Sequence, residues 1–123
     1  MELLKIKSYL SEKEKKERLL KEQERDAIIV KLVGLKSVWK KYKIKKIYLY
    51  GSLVDLTFCK YSDVDLAVES EMEYDVFLKL SSEVDRGFGR EVDLRLINEL
   101  PFAQQVREKG LLIYERKNSD PQE

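Results

Sequence analysis

Two short runs, DVDLAV at residues 63–68 and EVDLRLI at residues 91–97, alternate polar or small residues with apolar ones. Successive side chains on a β-strand point to opposite faces of the sheet, so each run reads as a strand with one buried face. Val64, Leu66 and Val68 then face a core from the first run, and Val92, Leu94 and Leu96 from the second. Asp63 and Asp65 stand side by side on the opposite face of the first, and Asp93 with Arg95 on that of the second. If the two strands are neighbours with matching faces, three carboxylates converge.

The rest of the chain supplies the elements around them. IYLY (47–50) and LLIY (111–114) read as strands from their β-branched and aromatic content. Residues 72–84 place Val76, Phe77, Leu80 and Val84 at helical spacing, and Pro101 suits the first turn of a helix that stops at Gly110. Gly87 and Gly89 mark a loop between elements. Residues 12–26, EKEKKERLLKEQERD, offer the i,i+4 pairs Glu12–Lys16, Glu14–Arg18 and Glu17–Lys21, with Ser11 and Glu14 as a capping box. Ile28, Leu32, Leu35 and Trp39 follow as an apolar stripe with Trp39 in the core, which predicts one long helix over 11–42. Its second half docks, while its first half is solvated or held by a partner. The order of elements makes one α/β domain with a mixed sheet flanked by helices. Residues 1–26 form a charged N-terminal helical extension, 27–116 the domain itself and 117–123 a flexible tail.

Composition narrows the chemistry. A chain of 123 residues has room for one modest core and little for a second substrate domain. Its 24 basic and 23 acidic residues nearly cancel, so nonspecific nucleic-acid binding has no electrostatic basis. There is no histidine, which excludes histidine bases, histidine triads and histidine-ligated zinc. A metal site must therefore use carboxylates and favour a hard ion such as magnesium. The single cysteine, Cys59, forms no internal disulfide and reads as incidental. No apolar run approaches membrane-spanning length and no signal-peptide pattern opens the chain, so the expected location is the cytoplasm.

Three unpaired carboxylates within a few ångströms repel one another, and two divalent cations would supply the missing charge. Two such ions can clamp an in-line displacement at phosphorus. The strand 47–50 ends in Gly51-Ser52, with ten residues between Ser52 and Asp63. Glycine lets a phosphate approach the backbone, and a serine hydroxyl adds a hydrogen bond. A Gly-Ser pair by itself is an ordinary turn, and an Asp-x-Asp by itself is a pair of surface acids. Asp93 alone suits an ion pair with Arg95 or Arg90. The conjunction of all three in this order and strand context is what carries the reading.

That arrangement resembles the minimal nucleotidyltransferase family, a branch of the DNA polymerase beta-like nucleotidyltransferase superfamily. The shared signature is Gly51-Ser52, then Asp63-Val64-Asp65, then Asp93, and the likeness extends over about residues 28–116. The resemblance implies the polymerase beta-like fold, with Gly51 and Ser52 binding the nucleotide. Asp63, Asp65 and Asp93 serve as catalytic metal ligands for two magnesium ions, with ATP as substrate. It also implies an antitoxin that transfers AMP to a tyrosine of a HEPN-domain RNase toxin. Two alternatives stay open: an antitoxin of the same fold that acts by contact, and a nucleotidyltransferase on a small molecule or RNA end. Many relatives carry Ala-Arg-Gly soon after Gly-Ser. Here Val54, Asp55 and Leu56 stand in its place, so an acid replaces the usual base, and Lys60 or Arg95 is the candidate source of positive charge. Phe58 and Tyr61 flank the motif as candidates to stack on a base.

Overall fold

The structure is a computed structural model that describes residues 3–59, 62–86 and 88–117. A long helix α1 (Leu3–Val33) is followed by a short helix α2 (Lys36–Lys41) and strand β1 (Lys46–Tyr50). One helical turn, α3 (Ser52–Asp55), leads to β2 (Val64–Glu69), α4 (Tyr74–Asp85) and β3 (Val92–Leu96). A 3₁₀ turn (Ile97–Glu99), α5 (Ala103–Lys109) and β4 (Leu111–Glu115) complete the order. The sheet runs β3-β2-β1-β4 and is mixed: β1 is antiparallel to β2 and β4, while β2 and β3 are parallel across the α4 crossover. The mixed α/β sheet expected from the sequence is present.

The alternation in the strands divides the core in two. Ile47, Leu49, Val64, Leu66 and Val68 join Ile28, Leu32, Trp39, Phe77, Leu80 and Val84 from α1, α2 and α4 in the main core. On the other face Tyr48 and Ala67 lie under Ile97, Leu100 and Val106. This second, smaller core has no periodic signature in the sequence beyond the single alanine in DVDLAV. Gly110, at the end of α5, brings that helix close to β1. A Cβ there would lie 2.5 Å from the Val106 carbonyl oxygen and 3.1 Å from that of Leu49. A larger residue would lift α5 off the sheet.

The single helix expected over 11–42 is two helices, and it starts at Leu3 rather than Ser11. Ser11 and Glu14 therefore lie inside α1 and form no capping box. The break falls after Val33, where the Leu35 N–H turns back to the Leu32 carbonyl at 3.1 Å. The chain bends because Trp39 is worth more buried than exposed on a continued helix. Its indole N–H donates to the same Leu32 carbonyl at 3.0 Å, a second bond to an acceptor near the end of α1. None of the three expected i,i+4 pairs closes among the described residues; Arg18 pairs with Glu22 at 3.2 Å instead. Such exposed pairs are worth only tenths of a kcal/mol, so their partners exchange easily.

Residues 5–20 of α1 are exposed, and contact with the domain begins at Lys21. Lys21 donates to the Leu56 carbonyl at 3.2 Å, and Glu24 pairs with Arg90 at 2.6 Å. Arg90 in turn donates to the carbonyls of Ser62 at 3.2 Å and Cys59 at 3.5 Å. One guanidinium thus ties α1 to the segment that leads into β2. Among the described residues, no helix is long and apolar enough to cross a membrane.

Candidate active site

The register of the sheet assembles the site. Tyr50 on β1 stands opposite Asp65 on β2, and Asp65 stands opposite Asp93 on β3. Neighbouring strands lie about 4.8 Å apart, so the three side chains form a continuous row across the sheet. The row lies on the face of the smaller core, beyond the edge covered by the 3₁₀ turn and α5. Asp65 and Asp93 are half-buried there, whereas Val64, Leu66, Val92 and Leu94 are buried on the other side. The facing expected from alternation is observed.

Asp63 precedes the first residue of β2 and remains close enough to Asp65 to act on it electrostatically. Burial pushes the Asp65 carboxyl above its usual range, and the charges of Asp93 and then Asp63 push it further, against the pull of Arg95. Burial also pushes the Tyr50 phenol up to about 12, with help from Asp65 and Asp93. Tyr50 is therefore a neutral hydrogen-bond donor at physiological pH. Both shifts owe most to burial, and the negative charges of the row add to them. Asp93 has a partial counter-charge in Arg95, whose Nε lies 3.3 Å from each carboxylate oxygen. Arg90, the other partner considered for Asp93, is engaged with Glu24.

The donor set suits a hard divalent cation: carboxylate oxygens on adjacent strands, in a place where a positive charge is lacking. As the side chains stand, no group of three such ligands is gathered around one point among the described residues. Asp65 and Asp93 are the pair that the fold brings together, and Asp63 contributes by charge.

Gly51 locks the turn to this row. Its φ is +82°, a conformation that L side chains rarely adopt, and a Cβ there would lie 2.5 Å from Oδ2 of Asp65. Glycine is thus required twice, by the backbone and by the carboxylate. Ser52 follows as the first residue of α3 and is half-buried. The Gly-Ser pair and the Asp-x-Asp pair, separated in sequence, are in direct contact in space.

Asp55 does not point its charge at this turn. Its Oδ1 accepts from the Thr57 hydroxyl at 2.6 Å and from the Thr57 N–H at 3.1 Å, and these bonds hold the carboxyl below its usual range. Leu56 adopts a left-handed φ of +63°, at a backbone cost of about 1–2 kcal/mol. Of the two candidate cations, Arg95 is paired with Asp93, and Lys60 lies outside the described residues. Cations from α1 stand beside α3. Lys15, Arg18 and Lys21 line a groove of about 510 Å³ with Asp55 and Leu56. Their place in an apparently solvated charge run gave no signal in the sequence.

Phe58 does not flank the site as an open stacking surface. It is buried in the main core, with the Lys21 ammonium 5.7 Å and the Arg90 guanidinium 6.0 Å from its ring centre. Tyr61 lies outside the described residues. The aromatic residues that do reach the site are Tyr50 and Phe102, with ring centres 5.7 Å apart. Tyr50 was detectable, because alternation along YLYG places it on the face opposite Leu49; Phe102 was not.

The family described as Polymerase beta, Nucleotidyltransferase matches residues 34–119 of the chain. No curated protein matches it. Among solved structures, a toxin-antitoxin with AMP-PNP is similar at 22% identity and a TM-score of 0.56, over 68% of this chain and 72% of that one. A mutant of the toxin-antitoxin MntA-HpeT is similar at 19% identity and a TM-score of 0.55, with the same coverage. At these identities the likeness is one of fold.

Proposed function

The chain belongs to the polymerase beta nucleotidyltransferase family, and on that premise we propose that it is an antitoxin that transfers AMP from ATP to a tyrosine of a HEPN-domain RNase partner. The observation that carries this reading is the contact between the two halves of the motif. Gly51 packs against the Asp65 carboxylate, and Asp65 stands in register with Asp93. A phosphate chain laid on Gly51 and Ser52 is thereby delivered to the carboxylates. The similarity in fold to toxin-antitoxin structures, one of them with AMP-PNP, supports the same reading.

Asp65, Asp93 and Asp63 would hold ions of the magnesium class, which lower the pKa of the acceptor hydroxyl and neutralise the leaving pyrophosphate. Gly51 and Ser52 orient the β- and γ-phosphates. The acceptor oxygen forms a bond to the α-phosphorus, the bond from that phosphorus to the α,β-bridging oxygen breaks, and pyrophosphate leaves with the electron pair. The acceptor proton passes to solvent. Tyr50, neutral and on the same row, is placed to donate a hydrogen bond. The acceptor tyrosine is supplied by the partner. The exposed part of the extension over 1–26 is the surface free to meet that partner. An RNase partner puts the pair in the cytoplasm, where a lone cysteine stays reduced.

Arg95 favours a second reading. With its guanidinium on both oxygens of Asp93, the row is partly neutralised without a metal, as in an antitoxin that acts by contact alone. Incubating the chain and its co-expressed partner with magnesium and ATP labelled on the α-phosphate separates the two. Label on a partner tyrosine, lost in the double Asp63→Asn/Asp65→Asn variant, supports transfer. RNase silenced by that variant as fully as by the wild type, with no label on either, supports contact and overturns transfer.

A further inference from the structure

A cavity of about 380 Å³ opens beside the phosphate turn, between α3 and α5. Tyr50, Val54, Phe102 and Val106 form apolar walls, and Gly51 closes one end. Gln105, Lys109 and Asp55 stand at its polar edge. Of this set, the transfer proposed above assigns a role only to Gly51 and Tyr50.

The apolar walls disfavour a phosphate, which would lose its hydration against them, and the one cation at the edge, Lys109, shares it with the acid Asp55. They suit a flat aromatic group, which buries apolar area and offsets against the tilted Tyr50–Phe102 pair. Position decides which aromatic group. In-line displacement places the acceptor on the far side of the α-phosphorus from the leaving pyrophosphate. If Gly51 and Ser52 hold the pyrophosphate, a cavity that Gly51 itself lines lies on the donor's side. The acceptor tyrosine approaches from the side of Asp93, two strands away.

We propose that this cavity seats the nucleobase of the nucleotide donor, which deepens the transferase reading and rests on it. The Gln105 amide, which has no hydrogen-bond partner among the described residues, is exposed at the edge and offers both a donor and an acceptor to a base edge. Val106 is the shared element: it roofs the smaller core and walls the cavity, so the packing that seats α5 also shapes the pocket. The nucleotide is then gripped at both ends, by the turn at its phosphates and by the α3–α5 cleft at its base.

Calorimetry with magnesium ATP and with magnesium tripolyphosphate tests this on the full chain. Wild type should bind ATP more tightly than tripolyphosphate, because only ATP fills the cavity. Gln105→Trp, which fills the cleft from an exposed position, and Phe102→Ala, which removes one wall, should each weaken ATP about tenfold or more, the scale of a lost base stack. Tripolyphosphate should stay within about twofold in both, which also shows that the variants fold. Equal losses for both ligands, or unchanged ATP binding, would overturn the base pocket and leave the phosphate site standing. A wild type that binds neither ligand would overturn the nucleotide-donor reading itself, and this inference with it.

Discussion

The two faces of the sheet are built for different tasks. One lies under α1, α2 and α4, and its residues Ile47, Leu49, Val64, Leu66 and Val68 are all essentially inaccessible to water. The other is covered only in part, by Ile97, Leu100 and Val106 over Tyr48 and Ala67, and then ends in the open row of Tyr50, Asp65 and Asp93. No charged or polar residue is fully buried among the described residues. Asp65 is half-buried, with its carboxyl pushed up by burial and by its neighbours. Stability is concentrated on the first face, where burial adds apolar contact. The chemistry proposed above falls on the second, where a bound cation would relieve the repulsion.

Neighbouring residues on β2 give the sharpest test. Asp65→Asn with Asp63→Asn should reduce transfer about a thousandfold or more, the scale of losing preorganised charge at a reacting centre. The same variant should melt at the wild-type temperature or slightly above it, since it removes repulsion. Full label transfer in that variant would dissolve the distinction between the faces. Leu66→Ala, one residue along and pointing the other way, should cost about 2–5 kcal/mol in denaturant unfolding. Its transfer rate, measured well below its melting point, should stay near that of the wild type; a larger loss of rate than of stability would break the comparison.

Gly51 joins the two properties, so its substitution should register in both. Gly51→Ala forces a Cβ against Asp65 in a left-handed conformation. It should destabilise the chain by about 1–3 kcal/mol and slow transfer at temperatures where the variant is folded. An alanine variant with wild-type melting and transfer would mean that the turn and the carboxylate are not held together.

The smallest effect lies on the covered side, far from the row. Lys41 donates to Glu83 at 2.9 Å, raising its own pKa from 10.5 and lowering that of Glu83 from 4.5. The depressed Glu83 contributes stability above its ordinary 4.5 that is lost as pH falls through its folded value. The raised Lys41 contributes stability below its ordinary 10.5 that is lost as pH rises through its folded value. The gap in melting temperature between wild type and Lys41→Met should therefore be widest between these limits and close outside them. Transfer should not follow it; a parallel change in transfer would show the two faces to be coupled.

Local pattern was enough to place every strand among the described residues and to assign the faces of β2 and β3. Alternation in residues 63–68 and 91–97 determined that Asp65 and Asp93 share no face with the main core. The absence of histidine determined that any metal must be held by oxygen. The spacing of Gly51-Ser52 to Asp63 determined the family resemblance, and the family match bears it out. These signals are legible because periodicity and composition act between residues close in the chain. Other features needed the assembled structure. The break between α1 and α2 depends on burying Trp39 against a partner carbonyl that helix propensity ignores. Phe58 is a core residue because α1 and Arg90 close over it, and Asp55 is a turn acceptor because Thr57 folds back to it. The approach of Lys21 to α3, and the cleft between α3 and α5, join segments far apart in the chain. The in-register meeting of Asp65 with Asp93 is of the same kind: each strand declares its own faces, but only the α4 crossover and the packing beneath it decide which strands become neighbours, and in what register.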